Sequence, residues 1–305
     1  MPKTKIRNAY MQLILSIFAW GGVYQSANYL VKTLDPFSTA FVRYLIAAII
    51  LLLLRRRQHG EFINVVQFKQ NWLLLISLGV LGIGLYNLVF FGAEKYLSAT
   101  LVVTIFAFSP CLTAYLGALV FKQRITGLAY LGMALALVGT IGVINFASCG
   151  HYSCHATFEQ LSRGQVFALL MCLLAALYSL MNRQATLRNI DSLTITTYAA
   201  VFGMLVLFIA AVIFGHLNQV WQQSGTFWLV MLYTALIGSV GAYFWFSEAL
   251  AQLGVATTAV FLNAIPLSTI LIGVIFLGQS IALPVIGYGL IIVSGVMLSN
   301  FAFRS

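Results

Sequence analysis

The sequence predicts an all-α integral membrane protein with ten transmembrane helices, arranged as two inverted five-helix repeats. Three observations lead to this prediction. Of the 305 residues, 61% are hydrophobic and only 7% are charged, whereas soluble proteins carry about 25% charged residues. The apolar residues fall into ten runs, and most are close to the roughly 20 residues that a helix needs to cross a bilayer. The two halves of the sequence also match each other at a constant offset.

The ten apolar runs are joined by connections too short to hold a separate soluble domain. They cover approximately 8–31, 37–54, 72–92, 98–121, 127–147, 164–185, 192–214, 226–247, 256–277 and 281–303. The first run continues through Tyr29 and belongs to the repeat, so we interpret it as a membrane helix and not as a signal peptide. We divide the chain into a first repeat over 1–147, an external loop over 148–163 and a second repeat over 164–305.

The distribution of Lys and Arg predicts the orientation in the membrane. The chain has 16 basic and 6 acidic residues, a formal net charge of +10. If the N-terminus is cytoplasmic, 12 basic residues fall on the cytoplasmic side, 3 fall outside and Arg43 lies within a span. Because basic residues collect on the cytoplasmic side, we predict a multi-pass protein of the cell (inner) membrane with both termini in the cytoplasm. The basic excess then reflects topology, and we expect no nucleic-acid partner.

Shifted by 156 residues, the second half of the chain overlays the first without a gap. Rare residue types match at this offset: Asp35 with Asp191, Trp72 with Trp228, Pro110 with Pro266 and Gln123 with Gln279. Each copy holds five spans, and because five is odd, the second copy enters the membrane upside down. Inverted repeats are typical of secondary transporters, whose binding site lies near the midplane between the copies. The alternative is a duplicated scaffold without transport.

The repeated unit resembles the EamA-type domain of the drug/metabolite transporter superfamily. The segment from Asp35 to Tyr44 is similar to the second-helix signature of that family, with its Pro and Arg, and the stretch from Gly82 through Pro110 resembles the rest of the domain. The second copy repeats this pattern through Pro266. The resemblance covers nearly the whole chain, and it implies ten spans and export of metabolites, amino acids or drugs.

The sequence departs from the family pattern in ways that concern coupling. Gln123 and Gln279 stand where the family often has Glu, and Ala199 stands where the first copy has Arg43. A coupling or gating role of that Glu would be missing here. Two other acids, Glu94 and Glu248, lie near the ends of helices 3 and 8. One of them could carry a coupling proton, and solvated charges at helix ends are the alternative.

Polar and aromatic side chains inside the spans are the candidate substrate-binding residues. Arg43 is the only charge placed clearly within a span, which is costly unless it faces the bundle or a cavity. Its guanidinium group matches a carboxylate or phosphate, and a structural tether is the alternative. The other candidates are Trp20, Tyr24, Tyr86, Asn87, Thr104, Phe108, Tyr178, Asn182, Tyr243 and Asn263. Buried amides and phenols need a partner, either another helix or a ligand.

Pro110 and Pro266 fall in the middle of spans, where each removes a backbone N–H and clashes with the carbonyl group four residues earlier. We predict helix kinks at both, which shape or gate the transport pathway, since freed carbonyl groups are tolerated where they line a cavity. Asp35 and Asp191 stand before helices 2 and 7, and we interpret them as N-caps rather than as catalytic groups.

The external loop contains two cysteines and two histidines, Cys149, His151, Cys154 and His155. A disulfide between the cysteines is possible if that side is oxidising. A metal site is the alternative, although the spacing matches no recognised zinc motif. Neither would carry transport, and we predict no cofactor and no metal in the site.

The sequence contains no motif of a hydrolase, a nucleotide-binding domain or an ion-selectivity filter. We therefore predict a transporter and not an enzyme, secondary active or facilitative. Its partners are a small-molecule substrate and the lipid bilayer, and the sequence does not indicate an oligomeric state. One cation among aromatics and amides suits a carboxylate joined to an apolar group, so amino acids or related metabolites are the predicted cargo. Efflux of hydrophobic cations and a scaffold without flux are the alternatives.

Overall fold

The structure is a computed structural model that describes residues 3–120, 126–149, 162–262, 264–279 and 283–302. Within these ranges the regular elements are all helices, without a strand. Six helical stretches are long and apolar enough to cross a membrane, and three shorter apolar helices accompany them. The first helix adds another 31 residues. The chain is therefore an all-α membrane protein, as its composition predicts.

The helices follow the ten predicted spans. The first copy consists of α1 (Lys3–Thr33), α2 (Pro36–His59), α3 (Val65–Gly79), a π-helix (Val80–Leu85), α4 (Tyr86–Tyr96), α5 (Ala99–Phe106), α6 (Ser109–Val120) and α7 (Gly127–Cys149). The second copy consists of α8 (Arg163–Leu187), α9 (Ser192–Phe214), a 3-10 helix (Leu217–Gln222), α10 (Gly225–Leu232), a π-helix (Tyr233–Gly241), α11 (Ala242–Leu262), α12 (Ile265–Leu277) and α13 (Leu283–Ala302).

Both predicted aspartate caps are confirmed. The Asp35 carboxylate accepts from the backbone N–H groups of Phe37 and Ser38 at 3.0 and 2.9 Å. The Asp191 carboxylate accepts from the N–H group of Thr194 at 2.9 Å. Each satisfies donors that the first turn of a helix leaves without an intrahelical partner.

The packing of α2 against α9 shows that the two copies are inverted. Asp35 at the start of α2 accepts at 3.0 Å from the backbone N–H of His216, which follows the end of α9. Asp191 at the start of α9 lies 3.4 Å from Nε2 of His59, at the end of α2. The two helices are thus antiparallel, and the equivalent aspartates lie at opposite ends of the molecule. We call these ends the Asp35 end and the Asp191 end.

The third span begins earlier than its apolar run predicts. α3 starts at Val65, where the Asn64 side chain caps it by accepting from the N–H of Gln67 at 2.9 Å. The helix then bends at Asn71, whose backbone angles are non-helical. The hydrophobic run alone could not predict this first segment, because the cap and the bend, and not hydropathy, define it.

The ninth span also differs from its predicted start at residue 256. α11 continues to Leu262. Its first part runs antiparallel to α1 and its last part runs parallel to α1, so the chain changes direction within it, as three contacts with α1 show. Ala242 O accepts from Ser16, the Phe261 ring lies 5.5 Å from that of Tyr10, and Ser268 Oγ then donates to Ile17 O. The first copy reverses differently, because Ser98 caps a new helix by accepting from Leu101 N–H. The equivalent position in the second copy is Gly254, which offers no side-chain cap.

Candidate functional site

A cavity lies between the two copies, in the middle of the helix bundle. Its volume is about 70 Å³, measured as the space open to the centre of a water molecule, which is enough for several waters. Its walls are formed by Trp20, Val23, Tyr24, Arg43, Gly82, Tyr86, Phe90, Phe106, Ala175, Tyr178, Ser179, Tyr243, Phe246, Leu262 and Ile265. These residues come from both copies and leave a mostly apolar chamber with one cation.

Part of the lining obeys the internal repeat. Val23 and Ser179, Phe90 and Phe246, and Phe106 and Leu262 are pairs that the 156-residue offset relates. The cavity therefore lies across the pseudo-symmetry axis of the repeats, where inverted-repeat transporters bind their substrates. The polar residues of the lining are not related to one another by the repeat: Arg43 belongs to the first copy, and the equivalent residue of the second copy is Ala199.

Arg43 is held by side chains and not by an acid. It is 3% exposed, and its Nε donates to Ser239 Oγ at 2.7 Å while Nη1 donates to Asn87 Oδ1 at 3.4 Å. Its guanidinium group also lies 5.3 Å from the centre of the Tyr44 ring. Among the described residues no Asp or Glu forms an ion pair with it. A guanidinium group has five N–H donors, so donors remain for an anion in the cavity.

Two π-helices of equivalent position adjoin the cavity: the first lines it through Gly82, and the second holds two of its polar side chains, Trp20 and Arg43. Val80–Leu85 belongs to the first copy and Tyr233–Gly241 to the second, and both end at positions related by the repeat. Trp20 Nε1 donates to Gly238 O at 3.1 Å, and Ser239 Oγ donates to Thr234 O at 3.1 Å. π-Helical turns are frequent at functional sites because they misalign the backbone ladder locally.

Four tyrosines complete the chamber. The Tyr243 ring lies 5.3 Å from that of Trp20 and 5.7 Å from that of Tyr178, in edge-to-face geometry. The Tyr24 ring meets Phe90 edge-to-face at 5.3 Å, and the Tyr24 hydroxyl has no hydrogen-bond partner among the described residues. Rings fixed in this way offer rigid apolar walls with hydroxyl groups at their tips.

Both prolines coincide with breaks in helices that reach the cavity. α5 ends at Phe106 and α6 begins one residue before Pro110, while α11 ends at Leu262 and α12 begins one residue before Pro266. Phe106 and Leu262 are the residues whose carbonyl groups the prolines leave without their N–H donors, and both line the cavity.

Six of the predicted site residues meet at the cavity: Trp20, Tyr24, Arg43, Tyr86, Tyr178 and Tyr243. Four others serve interhelical or local contacts. Asn87 supports Arg43, Asn182 Nδ2 donates to Tyr178 and Ser247, Thr104 Oγ1 donates to Thr100 O at 2.6 Å, and Phe108 packs against the core. Asn263, the loop residues Cys154, His151 and His155, and Gln123 lie outside the described residues.

Sequence reasoning missed the apolar part of the lining, such as Phe90, Phe246 and Ile265, because apolar residues fill every span. One signal could have found four of these residues. The pairs Phe90 and Phe246, and Phe106 and Leu262, are related by the repeat, and the latter pair also precedes the prolines by four residues. No group of three or more His, Cys, Asp or Glu side chains that could hold a metal occurs in the part of the chain that the structure describes.

Comparison with known proteins agrees with this architecture. The sequence pattern of the EamA-like transporter family matches residues 7–145 and again residues 162–301. An uncharacterized transporter of Bacillus subtilis, YyaM, is 28% identical over 268 residues, covering 87% of this chain and 85% of that protein. An uncharacterized transporter of Archaeoglobus fulgidus is 23% identical, covering 93% and 95%.

A solved crystal structure shares the fold, with a TM-score of 0.68 and 16% sequence identity over 97% of both chains. Because the family pattern covers both copies of the repeat, and therefore nearly the whole sequence, it identifies the class of membrane protein to which the helices and the cavity belong. The chain is a member of the EamA-like transporter family.

Proposed function

We propose that the protein exports amino acids or related small metabolites across the cell (inner) membrane by alternating access to the cavity between its repeats. The observation that carries the proposal is Arg43, a buried cation that faces the cavity and lacks an acidic partner among the described residues. An arginine in a low-dielectric chamber binds a carboxylate with charge-assisted hydrogen bonds.

The walls around Arg43 suit the other end of such a substrate. The Tyr243 ring packs against both Trp20 and Tyr178 and forms an aromatic wall with them, and no Asp or Glu of the described residues belongs to the lining. This favours an apolar or aromatic side chain attached to a carboxylate. It disfavours a hydrophobic cation, which Arg43 would repel.

The orientation follows from the distribution of basic residues. We place both termini in the cytoplasm, so that the Asp35 end faces outward and the Asp191 end faces the cytoplasm. Alternating access then requires the bundle to open at either end in turn. The helix breaks at Pro110 and Pro266 are the proposed bending points, since each lacks the hydrogen bond that would continue the helix.

Uptake of amino acids and related metabolites into proteoliposomes, measured over a panel of such compounds, tests the proposal. We expect uptake that amino acids inhibit and lipophilic cations do not.

Arg43→Ala should reduce transport of a carboxylate substrate by at least tenfold, and Arg43→Lys should restore only part of it, because Lys cannot reproduce the planar fork. Tyr130→Phe, at a side chain 55% exposed on α7, is the matched control and should transport normally. Competition by lipophilic cations alone would contradict the substrate class, and absence of any flux would favour a scaffold.

A further inference from the structure

A buried carboxyl group lies outside the cavity. Glu94, in the last turn of α4, is 1% exposed, and neither of its carboxylate oxygens has a hydrogen-bond partner among the described residues. The Asn28 side chain lies beside it, but its Nδ2 donates to the backbone oxygens of Glu94 and Leu97, at 3.0 and 3.2 Å. An ionised carboxylate in such a place is strongly unfavourable unless something neutralises it.

Glu94 lies between the cavity and the Asp35 end. Two facing helices carry residues at four-residue spacing, which places them on one face: Tyr24, Asn28 and Lys32 on α1, and Tyr86, Phe90 and Glu94 on α4. The inner residues Tyr24, Tyr86 and Phe90 line the cavity. The outer residue Lys32 is exposed and lies one turn beyond Asn28 on α1. Glu94 is therefore one turn beyond the cavity wall, beneath a closed contact between the two helices.

We propose that Glu94 is a proton-binding site in the gate at the Asp35 end, and that its protonation is coupled to closing of that gate. The coupling rests on the proposed function, whereas the proton site itself does not. When the gate closes, burial removes water from the carboxyl group, and a bound proton abolishes the charge that would oppose burial. When the gate opens, water and Lys32 stabilise the carboxylate, which takes its next proton from the Asp35 end. With the gate closed, the proton leaves through the cavity toward the Asp191 end as substrate binds, so that one proton enters for each substrate exported. By linkage, a proton must then favour the closed gate as much as closure favours the proton.

A proton fits this site better than a metal cation. Hard cations in proteins take several oxygen ligands, whereas among the described residues Glu94 is the only carboxylate at this place, and Asn28 turns its amide nitrogen toward the main chain. The positive charge of Lys32 further disfavours a second cation. A proton requires a single oxygen atom.

Few other titratable groups of the described residues lie near Glu94, so its protonation can be followed with little interference from the titration of its neighbours. The elements packed against α4 contribute Tyr24, Tyr29 and Lys32 from α1, Arg43 and Tyr44 from α2, and Arg163, Cys172 and Tyr178 from α8, whereas α5 and the π-helix before α4 contribute none. α4 itself adds Tyr86, Lys95 and Tyr96. No other carboxyl group occurs on these elements.

Infrared spectroscopy of the full-length protein in lipid tests the proton site without a substrate. A solvated Glu is ionised at pH 7, so the carbonyl band of a protonated carboxyl group should be present at pH 7 in wild type and absent in Glu94→Gln. Glu248→Gln removes a half-buried acid of the second copy and should leave the band intact. The proposal is overturned if the band is absent from wild type at pH 7, or if Glu94→Gln retains it.

A pH gradient across proteoliposomes tests the coupling. A one-unit gradient can support a concentration ratio of at most about tenfold per coupled proton. Wild type and Glu248→Gln should accumulate substrate on the acidic side, and Glu94→Gln should show a ratio near one. Equal accumulation by Glu94→Gln, or none by an active wild type, would refute the coupling. Absence of flux in every protein would refute the transport function instead, and the infrared titration would still decide the proton site.

Discussion

Arg43 illustrates what can be predicted for a single residue and what cannot. An arginine within a span is conspicuous in a sequence with 7% charged residues, and its cost in a bilayer indicates that it faces a cavity. Its partner Ser239 is 196 positions away and belongs to the other copy. No local pattern connects them, because only the packing of α2 against the second π-helix brings them together.

The bond between Arg43 and Ser239 gives a first prediction at this scale. Ser239→Ala removes the acceptor 2.7 Å from Arg43 Nε and leaves the guanidinium group free to turn. Because hydrogen bonds to charged groups contribute about 1.5–3 kcal/mol, the apparent affinity for a carboxylate substrate should fall roughly tenfold or more, as measured by the concentration dependence of uptake.

The matched control is Ser109→Ala, at a buried serine that donates to Cys172 O and does not contact Arg43. Its transport affinity should stay at the wild-type value. An equal loss of affinity in both variants would show that Ser239 acts through general packing and not through Arg43.

Asp191 gives a second prediction, on acid stability. Although partial burial raises the pKa of this carboxyl group, the hydrogen bond from Thr194 and the neighbouring His59 hold the pKa below its ordinary value. A lowered pKa stabilises the fold above the unfolded value, about 3.9, and this contribution disappears as the pH falls through the folded pKa. We therefore expect the melting temperature of wild type to fall with acid in this range.

Asp191→Asn keeps an oxygen that can cap α9 and has no charge to titrate, so its melting temperature should depend less on acid in that range. Asp191→Ala should lose about 1 kcal/mol of stability at neutral pH with its cap. Thermal unfolding in detergent between pH 7 and 3 measures both effects. Identical acid dependence of wild type and Asp191→Asn would contradict this account.

At the scale of elements, hydropathy predicts where the helices are, and other signals determine how they bend. The prolines indicate the breaks at residues 107–108 and at Ala264, because a missing N–H is visible in the sequence. The bend at Asn71 and the reversal within α11 have no such signal. Neither π-helix could be predicted, since i to i+5 hydrogen bonding has no characteristic residue pattern, although both lie at glycine-containing positions that the repeat relates.

The first π-helix gives a third prediction. A Cβ atom at Gly82 would lie 2.2 Å from Cδ2 of Tyr178, so Gly82→Ala must displace a ring that lines the cavity. Overpacking of this kind costs about 1–3 kcal/mol, and we expect both a lower melting temperature and impaired transport.

Gly287→Ala in α13 is the control, because a Cβ there meets no atom within 4 Å. Alanine in a helix interior is favoured over glycine by roughly 0.5–1 kcal/mol, so this variant should be as stable as wild type or more stable. If the two variants melt alike, close packing at Gly82 does not shape the site.

At the scale of the whole molecule, a symmetric scaffold holds an asymmetric site. Equivalent positions supply Phe90 and Phe246 to the cavity, and equivalent aspartates cap α2 and α9 at opposite ends. The arginine and its supporting amide come from the first copy, and Ser239 comes from the second. The repeat is readable because rare residues recur at one offset, and it predicts both the inversion and the central position of the cavity. The asymmetry that would select a substrate is not repeated, so symmetry could not predict it.

Labelling of two equivalent positions tests the inverted duplication most directly. Val66 and Gln222 are both exposed and are related by the 156-residue offset. Val66 lies at the Asp191 end and Gln222 at the Asp35 end. Each is replaced by Cys in a protein whose Cys149 and Cys154 are Ser, while Cys111 and Cys172 are buried and can remain.

A membrane-impermeant maleimide applied to intact cells should label the Cys of Gln222→Cys at once and that of Val66→Cys only after the membrane is permeabilised. Labelling of both in intact cells, or protection of both, would place equivalent positions on one face of the membrane and contradict the inverted repeat.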